Sequence, residues 1–283
     1  SSGHSRRLLF TGDLGQPNQP ILRDYDMPQG ADILLIESTY ADRDHPSADD
    51  VKGRLKGFIE DIHQLKSRLI IPAFSVGRTQ NILYTLNRLT EEGRMPPTPV
   101  YVDSPLSLKA TQVYAKHREC YDEEASDILR QGIDPMKFPG LRFIETPDQS
   151  KALNDLPGPL IIIAASGMCE GGRVLHHLQR AVGDPRNIIL IVGFQAEHTL
   201  GRRIVERQSP LKILGDEFEL NARVHTINAL SAHADRTALM RWLDGIKGHR
   251  LNRVFAVPGE PEKVTAMTEL VPQHRVRRVL SPV

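Results

Sequence analysis

The chain has 283 residues, 40% apolar and 25% charged, with 36 Lys plus Arg against 35 Asp plus Glu for a formal net charge of +1. That composition excludes a disordered chain, a collagen-like repeat and a disulfide scaffold, and the charge balance predicts no strong whole-protein field. The length is roughly twice the commonest single-domain size and points to two lobes.

Taken in chain order, short β-rich apolar runs alternate with helical patterns, which predicts α/β layering around a largely parallel sheet. Strands are expected at Arg7 to Thr11 and Asp32 to Glu37. A helix follows over Asp49 to Leu65, where Val51, Leu55, Phe58, Ile59 and Ile62 recur at helical spacing and bury one stripe. A strand at Leu69 to Ala73, a helix at Thr79 to Leu89, and strands at Val100 to Asp103 and Leu160 to Ala165 come next. Then come a helix at Arg173 to Val182 and a strand at Asn187 to Val192; several of these strands are continuously apolar, as doubly covered strands are. Leu211 to Asn228 reads as one or two polar-alternating strands, followed by a helix at Asp235 to Ile246 and a strand at Arg253 to Val257. The change of pattern after about residue 205 marks a boundary, so the tail and the segment up to about Tyr40 are expected to form one lobe around an inserted second one.

Cys120 and Cys169 are the only cysteines, which leaves no disulfide framework and no cysteine-based zinc site, and reduced thiols in a cytoplasmic protein are expected. The longest apolar runs, Leu160 to Ala165 and Ile188 to Val192, fall far short of the roughly 18 residues of a membrane span, so no bilayer crossing is expected. The start of the chain, basic but passing at once into a strand and an acidic turn, does not support a signal peptide.

Three acids or histidines stand at strand ends, where α/β folds build their sites. Asp13, in Phe10-Thr11-Gly12-Asp13-Leu14-Gly15, offers a carboxylate that can ligate a cation or bridge two; equally, a Gly-Asp pair can be a turn bonding its own backbone. Glu37 closes the apolar run Ile33 to Ile36, and its burial requires a partner such as a protonated histidine, unless it simply caps the next segment. His233, in Leu230-Ser231-Ala232-His233-Ala234-Asp235, sits at a strand-to-helix mouth, where it can protonate a leaving oxygen or serve only as a surface residue, with Asp235 or Ser231 as N-cap.

Glycine turns ending in arginine recur at Phe74 to Arg78, Ser166 to Arg173 and Gly193 to Arg202. Backbone N–H groups, helix starts and guanidinium forks together favour phosphate oxygens, although each turn alone is explained by the geometry of a tight strand-to-helix connection. Neither G-x-G-x-x-G nor G-x-x-x-x-G-K-[ST] occurs.

In order, Phe10-Thr11-Gly12-Asp13, Glu37-Ser38-Thr39-Tyr40, Pro72-Ala73-Phe74-Ser75-Val76-Gly77-Arg78, Ala165-Ser166-Gly167-Met168, Thr199-Leu200-Gly201-Arg202 and Ser231-Ala232-His233-Ala234-Asp235 resemble the β-CASP branch of the metallo-β-lactamase fold, whose members include RNA-processing nucleases. The resemblance implies part of a metallo-β-lactamase αββα lobe at 1–40, an inserted Rossmann-like β-CASP domain at 41–208, and the return of the first lobe at 209–283. It implies a zinc-dependent RNA phosphodiester hydrolase in which two zinc ions activate water for in-line attack. Asp13 matches the bridging metal ligand, Glu37 the acid of the first β-CASP motif, and His233 the histidine that helps protonate the leaving oxygen. Ser231 would hold the scissile phosphate, while Arg78, Ser166, Gly167, Thr199 and Arg202 would contribute to an RNA groove. Single-stranded RNA is the implied partner, with a homodimer or a processing complex left open.

Two departures stand against this pattern. The His-x-His-x-Asp-His metal motif is absent, since none of the 11 histidines lies two residues from another, and Pro258 stands where the family places a zinc-binding histidine. His4 is not counted as a ligand. The chain is therefore expected to be N-terminally truncated and inactive alone, one carboxylate being too little to hold zinc tightly. A non-catalytic RNA-binding or scaffold member is the alternative, favoured by Pro258 while Glu37 and His233 favour the enzyme. A Rossmann-like protein binding small nucleotides is a further alternative.

Overall fold

The computed structural model describes residues 5–45, 48–227, 233–246, 251–257, 261–271 and 276–280. In chain order the first elements are β1 (Leu8–Phe10), β2 (Ile33–Ile36), α1 (Ala48–Leu65), β3 (Arg68–Pro72), α2 (Arg78–Glu91), β4 (Val100–Asp103), α3 (Pro105–Lys116) and α4 (Glu123–Arg130). There follow β5 (Leu141–Phe143), α5 (Pro147–Ala152), β6 (Leu160–Ala164), α6 (Val174–Ala181), β7 (Ile188–Ile191) and α7 (Leu200–Val205). The last are β8 (Leu211–Ile213), β9 (Asp216–Phe218), β10 (Arg223–Thr226), α8 (Arg236–Gly245), β11 (Leu251–Ala256), α9 (Pro261–Leu270) and β12 (Val276–Leu280). No helix among the described residues is long and apolar enough to cross a membrane.

The contacts divide the chain into two units, a smaller one of residues 1–19, 23–45 and 231–283 and a larger one of residues 20–22 and 46–230. The smaller unit carries a four-stranded parallel sheet in the order β1-β2-β11-β12. Leu34, Ile36, Val254 and Ala256 from its central strands pack with Leu239, Trp242 and Leu243 of α8 and Met267 of α9. Asp235 starts α8 by accepting a 2.8 Å bond from the Ala238 N–H, so one side-chain oxygen satisfies a donor that the first turn leaves unpaired.

The larger unit is built on a six-stranded parallel sheet, β10-β7-β3-β6-β4-β5. Its central strands are covered on both faces, which is why they are continuously apolar. Along β6, Ile161 and Ile163 enter a core with α1 and α2, while Leu160, Ile162 and Ala164 enter a second core with α6 and α7. The stripe Val51, Leu55, Phe58, Ile59 and Ile62 of α1 lies in the first core, as its spacing predicts.

The polar-alternating region from 211 divides in two. β8 and β9 form an antiparallel hairpin, and β10 pairs in parallel with β7, Val224 opposite Ile189. Assignment of all residues from 209 onward to the first lobe is thus corrected: β10 is an edge strand of the larger sheet, half-buried because only one long side of it is paired.

A third, smaller core of the larger unit holds Ile21 among Tyr84, Tyr121, Ala125, Ile128 and Met136. Ile21 has no exposed surface, its carbonyl accepts from the Asp122 N–H at 2.9 Å, and its φ of +82° is one that β-branched residues rarely adopt.

Candidate functional site

In the smaller unit the turn after β1 begins with the Thr11 N–H donating to the Leu35 carbonyl at 3.1 Å, which ties it to β2. Gly12 then takes a φ of +56°, open to glycine without steric cost, and Asp13 emerges exposed. Glu37, the residue after β2, is fully buried. Its Oε2 accepts from His233 Nδ1 at 2.8 Å, the histidine partner that burial of this acid calls for. With Nδ1–H donating to the carboxylate, a neutral His233 carries its lone pair on Nε2.

His233 is held by its backbone. It bridges Gly15 in antiparallel fashion, the Ala234 N–H donates to the Leu14 carbonyl at 2.8 Å, and His45 Nε2 donates to the His233 carbonyl at 3.1 Å. Gln16 donates to and accepts from Asp235, and the His45 N–H donates to the same carboxylate. The Tyr40 ring lies edge-on to His45 at 4.6 Å between centroids. Gln16 and His45 are positioning residues that no sequence motif marks, since their roles come from partners more than 180 residues away.

The site closes into a cluster: one ligand-type atom from each of Asp13, Glu37 and His233 lies within 4.8 Å of the others. Glu37 Oε1 is buried with no hydrogen-bond partner among the described residues. Two carboxylates and an imidazole form a mixed oxygen and nitrogen donor set suited to a borderline divalent cation such as zinc, so the residues fit a metal. Ser231 and Pro258 lie outside the described residues, as does His4.

In the larger unit the remaining predicted residues sit at the carboxyl ends of β3, β6 and β7. Arg78 opens α2 behind Gly77, whose φ is +76°, and the arginine is largely buried. Ser166 Oγ accepts from the Glu170 N–H, and the Gly167 carbonyl accepts from Gln195 Nε2 at 3.0 Å. Gly167 has no room for a side chain, because a Cβ there would stand 2.8 Å from the Phe74 ring. Thr199 caps α7, its hydroxyl accepting from the Arg202 N–H at 3.1 Å. Glu170 accepts from the Leu200 N–H, and the Met168 carbonyl accepts from the Gly201 N–H, so the loop after β6 is tied to the start of α7.

Ser166, Gly167, Thr199 and Arg202 thus belong to one loop cluster. Glu170 and Gln195, which join its two halves, were not singled out from sequence, where nothing distinguishes them from solvated residues. Arg202 Nε donates to Glu206 at 2.5 Å beside an open depression of about 600 Å³ lined by Glu197, His198, Arg202, Arg203, Glu206 and Gln208.

A family model described as "Beta-Casp domain" matches residues 79–204, and one described as "Zn-dependent metallo-hydrolase RNA specificity domain" matches residues 217–279. The chain is similar to Ribonuclease TTHA0252 of Thermus thermophilus, 39% identical over 272 residues, covering 96% of this chain and 61% of the relative. It is also similar to the transcription termination factor FttA of Pyrococcus abyssi, 32% identical over 82% of this chain and 37% of the relative. An RNase J-like protein of Methanocaldococcus jannaschii is 30% identical over 85% of this chain and 56% of the relative. The chain spans 61% or less of the length of each of these relatives. With its parallel α/β sheets, its six ordered motifs and these matches, the chain belongs to the β-CASP family of metallo-β-lactamase-fold nucleases.

Proposed function

We propose that this chain carries part of the machinery of a zinc-dependent RNA phosphodiester hydrolase, acting on single-stranded RNA in the cytoplasm. The observation that carries this reading is the convergence of Asp13, Glu37 and His233 within 4.8 Å, one of them a buried carboxylate with an oxygen unpartnered among the described residues. Asp13 and His233 would hold the metal together with Glu37, and zinc bound there supplies Lewis-acid stabilisation of phosphate charge and a nucleophile at neutral pH. Glu37 orients the His233 ring through Nδ1 and leaves Nε2 as the one nitrogen His233 can offer: in this chain it would face the metal, and only where other residues hold the metal would it deliver a proton to a departing oxygen. Arg78, Ser166, Gly167, Thr199 and Arg202 are assigned to binding of the RNA backbone, with Ser231 at the scissile phosphate.

Three donors without the His-x-His-x-Asp-His set hold zinc weakly, so turnover by the chain alone is expected to be very low. The non-catalytic reading rests on Pro258 in the sequence and shares the RNA contacts. The test is zinc affinity by dye competition for the parent, Asp13→Asn and His233→Ala, with RNA binding measured in chelator alongside. Both substitutions are expected to weaken zinc at least about tenfold while RNA binding persists. Zinc affinity indifferent to both would remove the metal from this site, and RNA binding without zinc dependence anywhere would favour the non-catalytic member.

A further inference from the structure

The edge strand β10 carries a feature that none of the motifs includes. Arg223 and His225 are two residues apart and so project to the same face of the strand, the face covered by α1. The His225 ring lies against Phe58 of α1, centroids 4.7 Å apart and planes tilted by 38°. One helical turn before Phe58, on the same face of α1, is Arg54. Arg207, exposed beyond α7, reaches the strand's backbone, its Nη2 donating to the Val224 carbonyl at 3.3 Å.

Three guanidiniums are therefore close enough to the half-buried His225 ring to act on its charge. Arg223 is bonded to Asp61 at 2.8 Å and to the Arg186 carbonyl, which fixes its plane; Asp61 is the acid that acts on His225. Burial first, then Arg223, Arg54 and Arg207, hold the imidazole pKa below its ordinary value, so the ring is neutral at neutral pH and adds no charge of its own. A flat neutral ring backed by a phenyl group and rimmed by guanidinium forks has the two components by which proteins bind single-stranded nucleic acid, a stacking surface and a phosphate-neutralising rim.

We propose that this part of the larger unit is an additional binding surface for single-stranded RNA, on which Arg54 and Arg207 neutralise phosphates, the His225 ring stacks a base, and Arg223, paired with Asp61, fixes the strand against α1. The proposal rests on the reading of the chain as an RNA-acting protein, and it extends that reading to residues outside the β-CASP motifs. The surface is small and its contacts are generic, so it serves RNA retention and not sequence choice.

The test is fluorescence anisotropy of the full chain with a uridine homopolymer, in chelator and across a salt series. Arg54→Gln with Arg207→Gln is expected to lower the slope of log affinity against log salt by about 1.4, about 0.7 for each lost phosphate contact on a single strand. His225→Ala is expected to weaken binding about tenfold and His225→Phe to restore it, since stacking and not a proton is required. Thermal unfolding of each variant checks the fold, and Arg207→Gln alone, at an exposed position, provides a variant that leaves the core intact. If these variants bind with the parent's affinity and slope while Arg78→Ala and Arg202→Ala weaken binding, this surface is overturned and the wider reading stands. If the parent binds no RNA at all, the wider reading falls as well.

Discussion

His177 Nε2 lies 2.6 Å from the carboxylate of Asp103, and the two side chains have 1% and 0% of their surfaces exposed. The same carboxylate accepts from Ser150 Oγ at 2.5 Å and from Arg173 Nη1 at 2.7 Å, and Arg173 also donates to the Ile144 and Glu145 carbonyls. Asp103 ends β4, Ser150 is on α5, Arg173 is the N-cap of α6 and His177 lies within α6. One buried acid thus fastens three elements at the carboxyl edge of the larger sheet, beneath the loop that carries Ser166 and Gly167.

Burial pushes the Asp103 carboxyl upward, but the bonds from His177, Ser150 and Arg173 outweigh it and hold the group below its ordinary value of 3.8. A carboxylate lowered in the folded state contributes stability that is fully present above that ordinary value and is lost as the pH falls through the folded one. Asp103→Ala is expected to lower the unfolding free energy at neutral pH by about 3 kcal/mol, because it leaves a partly buried guanidinium and a buried imidazole without their shared acceptor. Urea titrations between neutral and acid pH check this. The variant should also show a shallower acid limb than the parent, and an unchanged acid limb would assign acid sensitivity elsewhere.

Zinc content is the second expectation. The chain should retain fewer than two zinc ions after gel filtration, since Asp13, Glu37 and His233 form the only cluster of at least three potential ligands found among the described residues. Elemental analysis of the eluted protein gives the count. Two tightly held ions would require ligands beyond these three.

The His225 ring should titrate below the ordinary histidine value of 6.5. Burial and the three guanidiniums favour the neutral ring in the folded state, so this group costs stability as the pH falls below 6.5, with the full cost reached below its folded pKa. Proton chemical shifts followed with pH should show the titration moving upward in Arg207→Gln. No movement would mean that Arg207 does not act on the ring, leaving burial, Arg223 and Arg54 to set it.

Gly172 tests the loop geometry. Its φ is +79°, and a Cβ there would lie 2.5 Å from the Ala165 carbonyl oxygen, a backbone atom that cannot swing away. Gly172→Ala is expected to destabilise the protein by about 2 kcal/mol and to weaken RNA binding through the displaced Ser166 and Gly167. A variant with the parent's urea midpoint would show that the loop has slack.

The parallel strands were legible because double coverage leaves an unbroken apolar run, and β3, β6 and β7 each carry one. β5 was not legible: its three residues, Leu141–Phe143, pair with β4 on one side only and alternate between half-buried and exposed. β10 was legible as a strand but not as a member of its sheet, because Arg223 and His225 give it the alternation of a strand facing water. In the site, Asp13, Glu37 and His233 could be found one by one as polar residues at strand ends. The bond between Glu37 and His233 spans 196 residues, and the carboxylate shared by Ser150, Arg173 and His177 is as far from local pattern; such contacts exist only once the sheets have closed.

Ile21 decides where this protein can be cut. Residues 46–230 look like a cassette, one contiguous stretch that a molecular biologist would clone by itself or exchange between relatives. The stretch lacks the isoleucine that fills the space between Tyr84, Tyr121 and Met136, and its absence is expected to cost about 2–5 kcal/mol, as emptying a buried isoleucine site does. The tripeptide Pro20–Leu22 is donated from the preceding part of the chain, so the larger unit is not a portable module: it inherits its last side chain from a segment made before its own first strand.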